Sequence, residues 1–176
     1  MSSARRSASQ TIGPFFEFAL PWREGPHAVA PGTAGAVWIE GRLLDGQDAP
    51  ISDGLIETWQ LGPPGTRGFA RAATDAEGRW AILTLKPPAL RAQDRDGDGA
   101  VHAPHLAVSV FARGLLKRAL TRVDFDDEPA ANAADPTLNA IADDAARATL
   151  IAARGARGYQ LDIHMQGARA TVFLDG

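Results

Sequence analysis

The fold class expected from the sequence is all-β: an antiparallel β-sandwich with an irregular N-terminal arm and one short helix. Three observations support it. From Val37 onward apolar residues recur with a period of two, which places them on one face of a strand. Seven or eight such stretches are short and separated by turn signals, the spacing of a sandwich. Only residues 143–153, alanine-rich with Leu150 and Ile151, read as helix. A length of 176 residues suits one domain. The division expected is an arm over residues 1–34 and the sandwich over 35–176.

Taken in order, residues 1–9 are small and polar, and an apolar Ile12-Gly13-Pro14-Phe15-Phe16 follows abruptly. That composition reads as an anchored loop. Residues 21–35 hold three prolines and three glycines and read as irregular chain. Val37, Ile39 and Leu43 then alternate with Trp38, Glu40 and Arg42, and Ile56, Thr58 and Gln60 alternate with Leu55, Glu57, Trp59 and Leu61. Phe69 to Thr74 and Arg79 to Leu85 flank Asp75-Ala76-Glu77-Gly78, a hairpin connection. A long polar loop is expected from Lys86 to His102. Strands follow at 103–112 and 120–125, and a closing hairpin at 159–174 turns around Gly167.

Composition narrows the function. A net charge of −3 with scattered lysines and arginines argues against a nucleic-acid partner. No apolar run approaches the roughly 20 residues that span a bilayer, so no membrane role is expected. Arg5 and Arg6 are not followed by an apolar segment, so no signal peptide is read. With no cysteine, disulfides and thiolate metal sites are excluded, which fits a cytoplasmic protein.

The most informative stretch begins at His105. In a strand, His105, Ala107 and Ser109 share one face, while Leu106, Val108 and Val110 share the other. Two metal ligands on a strand stand at i and i+2, because that spacing aims both the same way. Here the second place is Ala107, so the strand offers half a metal site. His27 is expected on the surface, His164 on an exposed strand face, and His102 and His105 can converge but lack a clear third ligand. Asp94, Asp96, Asp98 and Gly99 resemble the start of a calcium loop, yet the twelfth position is His105 instead of a bidentate glutamate. No nucleophile elbow and no phosphate-binding glycine loop is present. Arg122 and Asp124 share a strand face, which allows either a surface salt bridge or a guanidinium fork for a carboxylate.

Read together, several segments resemble the protocatechuate 3,4-dioxygenase family, on the side of its alpha subunit. They are Gln10-Thr11-Ile12-Gly13-Pro14-Phe15-Phe16, Ile56-Glu57-Thr58-Trp59-Gln60, Phe69-Ala70-Arg71, Ala103-Pro104-His105, Phe111-Ala112-Arg113-Gly114-Leu115, Thr121-Arg122 and Phe125-Asp126-Asp127-Glu128. Asp162-Ile163 and Thr171-Val172-Phe173 complete the match. The resemblance implies an antiparallel β-sandwich that works as a hetero-oligomer with a beta subunit. It implies intradiol cleavage of protocatechuate by O2 to 3-carboxy-cis,cis-muconate, with non-haem Fe(III) held in the beta subunit by two tyrosinates and two histidines. Of that ligand set this chain keeps His105 alone. Its single tyrosine, Tyr159, does not stand at a ligand position, and loops 62–68 and 87–101 have none. The chain is therefore expected to hold no metal and no catalytic residue of its own, His105 being a relic or a structural residue. By the same resemblance Thr11, Gly13, Pro14 and Arg122 line the substrate pocket. The chain departs from the family pattern at Ile12 and Asp124. The contrasting expectation is a solitary, non-catalytic β-sandwich binding module.

Overall fold

The structure is a computed structural model and describes residues 8–11, 13, 15–62, 67–91 and 99–174. Alternation builds long strands at β1 (Ala36–Leu44), β2 (Leu55–Leu61), β3 (Arg67–Ala73), β4 (Arg79–Leu85), β7 (His105–Phe111) and β8 (Ala119–Phe125). Shorter ones are β5 (Leu90–Arg91), β6 (Val101–His102), β9 (Ile151–Arg154), β10 (Gly158–Gln160) and β11 (Ile163–His164). The order β11-β1-β10-β9-β8-β7-β2-β3, with β4 on β1, is one hydrogen-bonded path folded into two layers. Strand β9 belongs to both layers, pairing β10 on one side and β8 on the other. The two inner faces enclose Ile39, Leu43, Ile56, Ile82, Leu106, Val108, Val110, Val123, Phe125 and Ile163, all fully buried. Each such side chain contributes roughly 1.5–3 kcal/mol relative to exposure. The all-β sandwich expected from the sequence is present.

Several details differ from expectation. Residues 143–153 are helical only over α4 (Asp144–Ala148), which Asp143 caps by accepting from Ala145 N. Leu150 is then fully buried and Ile151 enters β9, because the seam between the layers needs a strand there. Tertiary pairing overrides alanine's helix propensity. Three further short helices occur: α1 (Phe15–Ala19), α2 (Pro129–Ala134) and α3 (Pro136–Asn139). Proline at the first turn of α2 and α3 sets the helical φ where no N–H partner is needed.

The pairing is also not wholly antiparallel, since β10 and β11 run parallel to β1 and β9 runs parallel to β8. The expected closing hairpin is replaced by this arrangement. Within the Lys86–His102 region β5 and β6 pair as a short ladder, and the acidic run 94–98 lies outside the described residues.

The step from β10 to β11 explains Gly41. Leu161 N donates to Glu40 O across the step, and a Cβ on Gly41 would lie 1.8 Å from the Leu161 carbonyl oxygen. The backbones meet too closely for any side chain. Gly41→Ala is expected to destabilise the protein by at least about 2 kcal/mol, seen as a fall in Tm of roughly 4–8 °C by circular dichroism.

Candidate functional site

The register of β3, β2, β7 and β8 aligns Phe69, Trp59, Ala107 and Arg122 across four neighbouring strands. Paired residues share a face, so all four lie on the outer face of this layer. His105 and Asp124 pair one step further along the same face. Trp59 packs on Phe69 at 4.5 Å between centroids and remains half exposed. Ala107 is exposed as well.

Arg122 is buried, with 4% exposure. It is therefore not a surface salt bridge. Its Nε donates to Asp124 Oδ2 at 2.8 Å and its Nη2 to Asp124 Oδ1, a bidentate fork. Nη1 and Nη2 also donate to Asp135 Oδ1 and Oδ2 at 3.2 and 3.0 Å. Four of the five guanidinium N–H donors are thus committed to two fully buried carboxylates. Asp135 does more than pair. It accepts from Leu138 N at 2.9 Å as the N-cap of α3 and from Ala103 N at 2.8 Å. One carboxylate so ties α3 and the approach to β7 onto β8. Asp135 was not among the residues expected from the sequence, although an aspartate directly before Pro136 is a helix-start signal.

The two histidines do converge, with rings 6.0 Å apart and edge to face. His105 Nδ1 donates to the Ala103 carbonyl at 2.8 Å, which fixes the tautomer and leaves Nε2 as the basic nitrogen. His102 Nδ1 is buried 3.4 Å from Asp135 Oδ2, without a hydrogen bond. Burial, then the Arg122 charge, holds His105 below the usual histidine range. Burial, reinforced by Asp135, pushes Asp124 up to about 6 against the pull of Arg122. Asp135 is held low, because its bonds from Arg122, Leu138 N and Ala103 N outweigh its burial.

The remaining expected residues fall elsewhere. Thr11 is exposed, and its Oγ1 accepts from Gly13 N at 3.2 Å. Gly13 has φ +63°, and a Cβ there would meet nothing among the described residues within 4 Å. Pro14 lies outside the described residues, as does Ile12. Neighbouring Gln10 lies by the β7–β8 connection, sharing a shallow pocket with Leu115 and Lys117, whereas Arg122 sits further along β8. His27, expected on the surface, is half-buried, its ring centre 5.9 Å from that of Trp38 and edge to face with it. His164, expected on an exposed face, is instead buried, with Nδ1 3.2 Å from Asp48 Oδ1. Its backbone N donates to Thr171 Oγ1, which folds the following turn over it.

No family profile matches the chain. It is 37% identical to the protocatechuate 3,4-dioxygenase alpha chain of Burkholderia cepacia, over 99% of this chain and all of that one. Identity to the alpha chain of Pseudomonas putida is 33%, covering 95% and 94% respectively. This chain belongs to the protocatechuate 3,4-dioxygenase alpha-chain family. The Burkholderia cepacia beta chain is 30% identical over 76% of this chain and 65% of its own length. Hydroxyquinol 1,2-dioxygenase from Pseudomonas putida DLL-E4 shares the fold with a TM-score of 0.60 at 18% identity, covering 93% of this chain and 66% of that one. Catechol 1,2-dioxygenase from Pseudomonas arvilla C-1 does so with 0.56 at 18% identity, over 82% and 56%.

The non-haem iron of the intradiol family does not fit the residues this chain offers. The place two residues after His105 is a methyl group, Ala107. The carboxylates nearest His105 already hold a cation, the Arg122 guanidinium. Tyr159 is in the core, stacked edge-on against Phe125 and donating its hydroxyl to Asp127 at 2.9 Å. Among the described residues no group of three or more His, Asp or Glu side chains is placed to hold a metal.

The buried acid makes stability depend on pH. A carboxyl whose folded pKa lies above its unfolded value binds its proton more tightly when folded. Its penalty is absent below about pH 4 and complete above about pH 6. Asp124→Asn removes that proton site while keeping an acceptor for Arg122. The stability difference between variant and wild type is expected to shift toward the variant by on the order of 2 kcal/mol from pH 4 to pH 6.5. Urea unfolding at the two pH values measures it.

Proposed function

We propose that this chain is the alpha subunit of a protocatechuate 3,4-dioxygenase, acting with a beta chain that holds the Fe(III). Full-length likeness to two alpha chains carries the reading. Held by the beta chain, the iron would activate the substrate diol toward O2, for cleavage of the ring between its two hydroxyl-bearing carbons with both oxygen atoms of O2 entering the product, 3-carboxy-cis,cis-muconate. This chain's residues bind and wall; they do not exchange electrons. A wholly solitary binding module is the weaker reading. Phe15 and Phe18, at i and i+3 of α1, are 71% and 79% exposed, and such aromatic surface favours a chain with a partner. The absence of cysteine is consistent with a cytoplasmic assembly.

Within that assembly we assign Thr11, Gly13 and Pro14 to the wall of the substrate pocket. The described residues leave space around Gly13, which a partner chain or substrate can fill. Arg122 is assigned to the same function through its uncommitted Nη1 donor. Two carboxylates already offset its charge, so it acts as a hydrogen-bond donor more than as a counter-ion.

The test is co-expression with the beta chain and a ring-cleavage assay of the purified pair. Turnover is expected for the pair, and neither turnover nor retained iron for this chain alone. Stoichiometric iron with turnover in the lone chain overturns the reading. In the pair, Gly13→Ala and Arg122→Lys are each expected to raise KM about tenfold with little change in kcat, the mark of lost uniform binding. An unchanged KM removes that residue from the pocket.

A further inference from the structure

We propose that Arg71 is a positioning residue for substrate binding, clamping the N-terminal arm so that the segment carrying Thr11 and Gly13 leaves the sandwich in a fixed direction. The inference rests on the alpha-subunit reading above.

One side chain gathers the arm onto the outer face of β2 and β3. Arg71 Nε donates to Glu57 Oε1 at 2.7 Å, and Nη2 donates to the same oxygen. Nη1 donates to the Leu20 carbonyl at 3.1 Å, the first residue after α1. The guanidinium carbon lies 5.2 Å from the centre of the Trp22 ring and 5.4 Å from that of Phe69. Those rings stack at 6.1 Å with 14° between their planes. The main chain adds a further tie, since Arg71 N donates to Gly25 O at 2.7 Å. A Cβ on Gly25 would fall 2.7 Å from the Arg71 carbonyl, so only glycine permits this approach.

Partly shielded ion pairs and desolvated cation–π contacts exceed their surface counterparts. Both charged partners here are largely shielded, at 19% and 13% side-chain exposure. The clamp is therefore stiff where a surface pair is loose. Of the described side chains of α1, Phe15 and Phe18 point to solvent, so the clamp at its C-terminal end is a principal tie that sets its direction. From Leu20 to Gly13 the chain spans roughly 10–15 Å. A swing of about 5° at the clamp moves Gly13 by about 1 Å, and misplacement on that scale is costly in a binding site.

The experiment uses the alpha–beta pair with Arg71→Met and, from the arm side, Trp22→Ala. The second leaves the sandwich core untouched, because Trp22 is 44% exposed. Each variant is expected to raise KM for the dihydroxybenzoate about tenfold while kcat stays within about twofold, with the pair intact by size exclusion. A purely structural residue would instead lower Tm or the fraction of pair formed and leave KM unmoved. Turnover by the wild-type pair with KM unchanged in Trp22→Ala overturns the positioning role. No turnover by the wild-type pair overturns the alpha-subunit reading and this inference with it.

Discussion

A buried guanidinium between two carboxylates is the constraint on which this layer of the sandwich depends. Arg122 is bracketed by Asp124 on its own strand and by Asp135 at the start of α3. Taking such charges out of water costs several kcal/mol per ion, so the arrangement holds only while every partner is present. Removing one partner leaves a buried charge uncompensated, at roughly 3–5 kcal/mol. The network also explains the surrounding backbone. Asp135 supplies the cap of α3 and receives Ala103 N, so the turn before His105 is set by the carboxylate that pairs with Arg122.

The same outer face carries two different uses of arginine. At one end, β3 presents Arg71 to the arm through Glu57, Trp22 and Phe69. At the other, β8 presents Arg122 to Asp135 at the start of α3. Between them lies Ala107, where the small side chain keeps the strand face low. In a metal-bearing relative of this sandwich the family resemblance places a histidine there. Here the cation among the carboxylates is the Arg122 guanidinium.

How much of this was legible beforehand depended on whether a residue's role was local. The long strands were readable where period-two alternation is a local consequence of one buried face, as in β1 and β2. The shared face of Arg122 and Asp124 was readable for the same reason. Their burial was not, because it is imposed by Asp135, distant in sequence on a different element. The helix expected over 143–153 forms but stops at Ala148, because Leu150 and Ile151 are recruited to join β8, a demand that no local propensity records. His164 was misplaced for a related reason: its cover comes from Asp48 and the Thr171 turn. The Arg71 clamp rests on an arm that returns across about 50 residues to meet it, so its residues were visible while their meeting was not.

The pairing of β1 with β10 and β11 governs the order of assembly. Trp38 finds its partner at Gly158 and Leu43 at Ile163, separations of about 120 residues. The opening strand thus emerges from the ribosome long before its neighbours, at roughly 5–20 residues per second. During those several seconds β1 is paired along one edge only, by β4. Closure of so non-local a ladder is slow, and the nascent chain spends that interval as an open sheet whose unpaired rim other chains, including an early-arriving partner, can meet.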